Sequence, residues 1–189
     1  TPVGESIEGH INDEIKEHIA EKISSLKTSD GYFAEMQRPQ DDELLTSQKL
    51  LILDHIQNPG NLGTLIRSAL AFGFDGVYIL DQSVDPYSPK VLRSSMGAVL
   101  QIPIKVGDYN ELQNLLDSRS IPTYIADATG DPISTLKVEK PFALVLGNEA
   151  NGPKLESFSN YKTVSVPIKH VESLNVAIAG SLLMYQFLE

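Results

Sequence analysis

The chain has 189 residues, 41% hydrophobic and 21% charged, with a formal net charge of −10; that is an ordinary globular composition, long enough for one α/β domain and some extra. No apolar run approaches the roughly 18 residues a membrane span requires, and no charged-then-apolar secretory leader is present. With no cysteine, disulfides, thiolate nucleophiles and zinc–thiolate sites are excluded.

The elements are taken in chain order. "IEGHINDEIKEHIAEKISSL" places Ile7, Ile11, Ile15, Ile19, Ile23 and Leu26 at helical spacing, which predicts an amphipathic helix with a charged outer face. "KTSDGYFAEMQRPQDDE" mixes turn residues and charges and reads as an irregular arm. The boundary falls near residue 48. Residues 1–48 hold 11 acids and 4 bases, and residues 49–189 hold 14 and 11. The acidity thus sits in the arm, leaving the larger part free to carry a basic patch.

Beyond residue 48 the chain alternates. Strands are predicted at 49–56, 76–80, 101–106, 122–127, 142–147 and 162–167. Helices are predicted at 61–72, 88–95, 108–118, 152–159 and 173–188. Short Val/Ile/Leu-rich runs separated by helical patterns indicate an α/β fold, a mostly parallel sheet flanked by helices. Ligands of such sheets bind outside the carboxyl ends of strands, and three strand ends here are unusual.

The first is "LILDHIQNPGNLGTLIRSA", residues 51–69. Pro59 cannot donate to a ladder and is expected to stop the strand. Gly60 and Gly63 allow close backbone approach, and Asn61 is placed to cap the helix that carries Arg67. A turn plus cap with a snorkelling Arg67 explains the stretch equally well. Neither G-x-G-x-x-G nor G-K-[ST] is present, so the two common phosphate loops are excluded.

The second is "PFALVLGNEANGP", residues 141–153, a buried strand ending on Gly147 with Glu149 between Gly147 and Gly152. An exposed carboxylate there could accept from a hydroxyl, an amine or an arginine, or simply be a solvated turn. The third is "VSVPIKHVESLNVAIAGSLLMYQFLE". Pro167 ends a strand, Ser173 is a candidate N-cap, and Asn175 falls in the first turn of an apolar helix. That helix could pack on the sheet or against a second subunit.

Together, in this order, the three stretches resemble the SpoU (TrmH-like) family of RNA ribose 2′-O-methyltransferases, within the SPOUT superfamily. N-x-G-x-x-x-R is matched by Asn61, Gly63 and Arg67. G-x-E-x-x-G is matched by Gly147, Glu149 and Gly152. A strand ending in Pro followed by S-L-N-V is matched by Pro167, Ser173, Leu174, Asn175 and Val176. "KVLRSSMGAVLQIPI", residues 90–104, is similar to the family's intervening segment. The resemblance covers about residues 49–189. Two departures lie in the loops: Ala150 where many members have Gly, and Pro167-Ile168-Lys169-His170 where many have Pro-Met and then a Gly.

The resemblance implies a C-terminal trefoil knot, S-adenosyl-L-methionine as cofactor, a homodimer with the active site at the subunit interface, and a transfer RNA or ribosomal RNA substrate. It implies a cofactor pocket at Leu146, Gly147, Val166, Ile168 and Leu174, with Gly147 removing a side chain where the ligand lies. Arg67, Glu149, Ser173 and Asn175 would surround the reactive centre, with Asn61 shaping the first loop. Arg67 would activate the ribose hydroxyl, either as a base or as a clamp for alkoxide and phosphate; sequence leaves both open. Apart from the resemblance, Lys90, Arg93, Lys105, Lys154, Lys162 and Lys169 read equally as a basic surface around the site or as six solubilising side chains. No metal and no membrane are expected, and the four histidines form no ligand-spaced cluster. The expected compartment is the cytoplasm, with an organelle as the alternative because the sequence starts at Thr1. The competing readings are a non-catalytic RNA-binding protein that keeps the fold, and a Rossmann oxidoreductase, against which the missing glycine fingerprint argues.

Overall fold

A computed structural model describes residues 15–24, 33, 38, 41–148 and 152–188. The chain divides into two units, Thr1–Arg38 and Pro39–Glu189. Within the first, α1 spans Glu17–Ile23. The predicted helix from Ile7 to Leu26 otherwise lies outside the described residues.

In the second unit, β1 spans Lys49–Leu53 and every residue of it is buried. Burial on both faces is what a central strand of a parallel sheet requires. The sheet has the order β3-β2-β1-β5-β4-β6, with β2 at Gly76–Leu80, β3 at Ile104–Gly107, β4 at Thr123–Pro132, β5 at Phe142–Leu146 and β6 at Tyr161–Ser165. All five pairings are parallel. One apolar layer gathers Leu51, Leu53, Leu65, Ile66, Leu144, Leu146 and Met184 on one face. A second gathers Leu50, Ile52, Leu112, Leu116, Val145 and Phe158 on the other.

The first face is covered by α2 (Pro59–Ala71), α3 (Pro89–Ser95) and α5 (Val176–Gln186), and the second by α4 (Tyr109–Ser118). Helix α5 is fastened to the sheet at its end. Lys49 is buried and its Nζ donates to the carbonyls of Phe187 at 2.6 Å and Leu188 at 3.4 Å, a cation at a helix C-terminus. Its middle reaches the sheet through Gly180, where a Cβ would run into Leu146 and Leu65.

Three boundaries differ from the sequence reading. Strand β1 stops at Leu53, well before Pro59, because His55 adopts φ +57 and cannot continue a ladder. Strand β4 runs on to Pro132 through a register shift between Ala126 and Asp131, a bulge hidden in a sequence, Thr-Gly-Asp-Pro, that looks like a turn. The predicted helix at 152–159 is only a 3₁₀ turn, Leu155–Ser157. Gly152 takes φ +66 and pairs with Asn148, and the N–H of Lys154 goes to Asp54, so too little chain is left for a full helix before β6.

Candidate functional site

The carboxyl ends of β4, β5 and β6 open onto one cleft. Leu146 and Gly147 end β5, while Val164, Ser165 and Val166 come from the end of β6. Ile168, Ser173, Leu174 and Val176 come from the last loop and the start of α5, and Asn148, Gly152 and Pro153 close the side. The walls are apolar, suited to a flat heterocycle. Its volume is about 150 Å³, below the ~300–1,000 Å³ of most small-molecule sites.

All five residues expected to hold the cofactor, Leu146, Gly147, Val166, Ile168 and Leu174, line this cleft, and so does Ser173. The reason for Gly147 differs from the expected one. A Cβ at 147 would strike the backbone of Gly152 and Pro153, not ligand space. Gly147 and Gly152 are thus a matched pair. The first permits the chain to fold back on itself, and the second supplies the positive φ that turns it, with the Gly152 N–H donating to the Asn148 carbonyl at 2.9 Å.

The bulge in β4 adds a residue that the sequence reading missed. Asp127 and Ala128 lie on the cleft wall, and Asp127 is its one charged side chain among the described residues. Its Oδ1 accepts from the Thr129 hydroxyl at 2.6 Å and the Thr129 amide at 2.7 Å. Those two bonds hold its carboxyl below the usual range, against an opposing effect of partial burial. Asp127-Ala-Thr129 is an Asx-type turn, a signal that could have flagged the bulge. A carboxylate on an apolar wall suits a ligand carrying hydroxyls or positive charge.

The caps are also reassigned. Asn58, not Asn61, is the N-cap of α2, accepting from Gly60 N–H at 2.8 Å and Asn61 N–H at 3.2 Å, with Pro59 in the first helical position. Asn175, not Ser173, is the N-cap of α5, accepting from Ala177 N–H at 2.9 Å and Ile178 N–H at 3.3 Å. Asn61, relieved of capping, accepts from Asn175 Nδ2 at 3.1 Å. The first and third motifs, 114 residues apart, therefore meet side chain to side chain, next to the cleft residues Leu174 and Val176.

Arg67 is not in the cleft. It is exposed on α2, one turn beyond Gly63, and it makes no hydrogen bond or ion pair among the described residues. Gly63 lies inside α2, where a Cβ would strike Ser94 and Ser95 of α3; it admits a neighbouring helix and shapes no loop. Glu149, with Ala150 and Asn151, lies outside the described residues. Of the six cations proposed as a basic surface, two stand far apart. Lys105 on β3 and Lys162 on β6 stand at opposite edges of a six-stranded sheet, about 24 Å apart at the usual strand spacing. Lys105 also pairs with Glu111 at 3.7 Å. Among the described residues no group of three or more His, Asp or Glu could hold a metal ion, and no helix is long and apolar enough to cross a membrane.

A model described as the SpoU rRNA methylase family matches residues 48–185. The chain is 35% identical over 150 residues to the Bacillus subtilis 23S rRNA (guanosine(2553)-2′-O)-methyltransferase RlmP, covering 77% of this chain and 60% of that one. It resembles the SpoU methyltransferase AviRb from Streptomyces viridochromogenes, solved in complex with the cofactor AdoMet, with TM-score 0.70 and 28% identity over 79% of this chain and 64% of that one. It also resembles a putative RNA methyltransferase of the TrmH family from Porphyromonas gingivalis, with TM-score 0.74 and 29% identity over 92% and 72% of the two chains. The chain spans less than two thirds of the length of the first curated relatives it matches. Matched along most of its length, the chain belongs to the SpoU rRNA methylase family.

Proposed function

We propose that residues 49–189 form the catalytic domain of an S-adenosyl-L-methionine-dependent methyltransferase that modifies a ribose 2′-hydroxyl in structured RNA, transfer or ribosomal, and that residues 1–48 are an arm or partial extension. The observation that carries this reading is the convergence of residues 146–147, 164–168 and 173–174 on one apolar cleft with a single carboxylate on its wall. These residues fit the cofactor: apolar walls take the adenine, and Asp127 takes a hydroxyl or cationic group. Bound there, the cofactor would supply a methyl group on a positively charged sulfur, an electrophile that needs alignment more than activation.

The chain's own residues provide the rest. A guanidinium is a poor proton acceptor at neutral pH, so Arg67 acts by stabilising negative charge that develops on the ribose 2′-oxygen and by holding the neighbouring phosphate. Ser173 and Asn175 hydrogen-bond the substrate or fix the last loop, Asn61 orients Asn175, and Glu149 orients Arg67 or the ribose.

Arg67 stands apart from the cleft of its own chain, and α5 supports the remedy. Its residues Ile178, Leu182 and Tyr185 are 55%, 46% and 61% exposed while its opposite side is buried, so the helix is apolar all round, as a helix covered on all sides is. A second copy of the chain covers that face, giving a homodimer in which Arg67 of one copy serves the cleft of the other. The knot expected of the family is part of the same reading. The chain passes from β5 over β4 to β6 and then returns to pack α5 beside α2, a doubling back of the C-terminal part that supports this reading.

The test combines calorimetric titration of S-adenosylmethionine with mapping of 2′-O-methyl sites in RNA. Arg67→Ala is expected to lower methyl transfer by about 10²–10³-fold with cofactor affinity unchanged. Near wild-type turnover in that variant would remove Arg67 from the chemistry, and a wild-type chain that does not bind the cofactor would sink the enzyme reading in favour of a non-catalytic RNA-binding role.

A further inference from the structure

Asp54, just past the end of β1, is absent from all three motifs and does not line the cleft, yet it is 0% exposed. Burying a carboxyl is costly unless its oxygens find donors. Its Oδ1 accepts from the Tyr109 hydroxyl at 2.7 Å and also meets Nδ1 of His55. Its Oδ2 accepts from the backbone N–H of Lys154 at 2.9 Å, 100 residues away in sequence. The Asp54 N–H donates to the Leu146 carbonyl at 2.9 Å, and the carbonyl of His55 accepts from Asn148 Nδ2 at 3.2 Å.

Residues 54–55 thus grip the chain at 146, 148 and 154. Those points bracket Gly147, Asn148, Gly152 and Pro153, which make one wall of the cleft. The far side of the grip is rigid as well. His55 Nε2 lies 2.7 Å from Gln82 Oε1, and both His55 and Gln82 hold positive φ, a backbone strain that persists only where surroundings enforce it. Burial, and then the bond to Asp54, push the Tyr109 phenol above its ordinary value, so it remains a donor to Asp54 across the working pH range.

We infer that Asp54 is a positioning residue for the cofactor cleft, fixing the wall made by Gly147, Asn148, Gly152 and Pro153 through the Lys154 N–H. The inference rests on the reading that this cleft takes S-adenosylmethionine. Asp54 touches neither cofactor nor RNA; it acts by holding the wall in register with β5.

The bond can be removed from either side. Asp54→Asn keeps the volume but leaves one acceptor oxygen where the Tyr109 hydroxyl and the Lys154 N–H each donate to one of their own. Lys154→Pro deletes the donor N–H together with the side chain, at a φ of −76 that proline accepts. Lys154→Ala removes the same side chain and keeps the N–H. Tyr109→Phe removes a different Asp54 bond and leaves the wall bond intact. Two measurements are made on the full chain: calorimetric Kd for S-adenosylmethionine, and amide hydrogen exchange at Asn148, Gly152 and Lys154 without ligand.

Asp54→Asn and Lys154→Pro are each expected to weaken cofactor binding about tenfold. In Asp54→Asn exchange at Gly152 and Lys154 speeds up while β2 is unchanged, and in Lys154→Pro the same holds at Gly152. At saturating cofactor kcat is retained, so the loss appears in KM. Lys154→Ala and Tyr109→Phe leave Kd within about twofold, even where Tyr109→Phe lowers Tm. Wild-type Kd and exchange in Lys154→Pro would overturn the inference and leave Asp54 a strand-end residue, whether or not Asp54→Asn folds. If the wild-type chain fails to bind S-adenosylmethionine, the cofactor reading fails, while the exchange data still decide whether Asp54 fixes the wall.

Discussion

The two walls of the cleft are built on opposite principles. The wall at 147–154 is tied back to β1 by the Lys154–Asp54 and Asn148–His55 bonds and closed by the Gly152–Asn148 bond. The wall at 167–174 forms no hydrogen bond among the described residues. It includes His170 at φ +67 and a 58%-exposed Val171, and it is held only beyond its end, where Asn175 caps α5 and meets Asn61. Local stability follows such bonds and burial. The first wall is therefore a preformed template, and the second is the less firmly held of the two and the one expected to yield.

The largest effect should come from overfilling the template. Gly147→Ala forces a methyl into the backbone of Gly152 and Pro153, with an expected cost of about 1–3 kcal/mol. Thermal unfolding should show the loss in Tm and calorimetry the loss of cofactor affinity; an unaffected Tm would mean that this wall gives as readily as the other. Next comes the single anchor of the yielding wall. Asn175→Ala removes the α5 cap and the contact to Asn61, for about 0.5–2 kcal/mol, read by chemical denaturation. It should also quicken amide exchange at Ala177 and Ile178, whose N–H groups it caps.

A smaller effect separates Ser173 from that anchor. Ser173→Ala should leave stability within about 0.5 kcal/mol, because Ser173 caps nothing; a stability loss equal to that of Asn175→Ala would return the cap to Ser173. The smallest effect is one of pH. The Asp127 carboxyl is lowered by its Thr129 bonds, so its contribution to stability is present above the ordinary unfolded value near 3.8 and is lost as pH falls through the lower folded one. Acid titration of Tm for Asp127→Asn against the wild type should diverge only above that window, and the variant should bind S-adenosylmethionine a few-fold more weakly at neutral pH.

The same contrast explains what could be read from the sequence. Runs such as Leu50–Leu53 and Phe142–Leu146 declare buried strands by composition alone, and the five residues that the resemblance named at strand ends line one cleft. The caps did not follow, because Asn58 and Asn61, or Ser173 and Asn175, are equally good capping chemistry. Which one caps is set by where the chain bends. The bulge carrying Asp127 was hidden because a strand that resumes after Gly130 looks, in one dimension, like a strand that has ended. Asp54 was invisible for a different reason: its significance lies in an amide 100 residues away, and no local pattern records such a partner. The spread of the candidate cations was hidden for the same cause, since strand order, not sequence spacing, places Lys105 and Lys162 at opposite edges.

The bond from Lys49 to the Phe187 carbonyl spans 138 residues. During synthesis the first strand emerges long before β5, its neighbour in the sheet, and longer still before the helix that neutralises its buried charge. Neither edge of β1 is covered early except by β2. Such non-local closure is slow: one edge of β1 waits for β5, and Lys49 waits for the carbonyl of Phe187. A truncation that removes α5 and the residues after it would leave the buried Lys49 ammonium without the carbonyls it donates to.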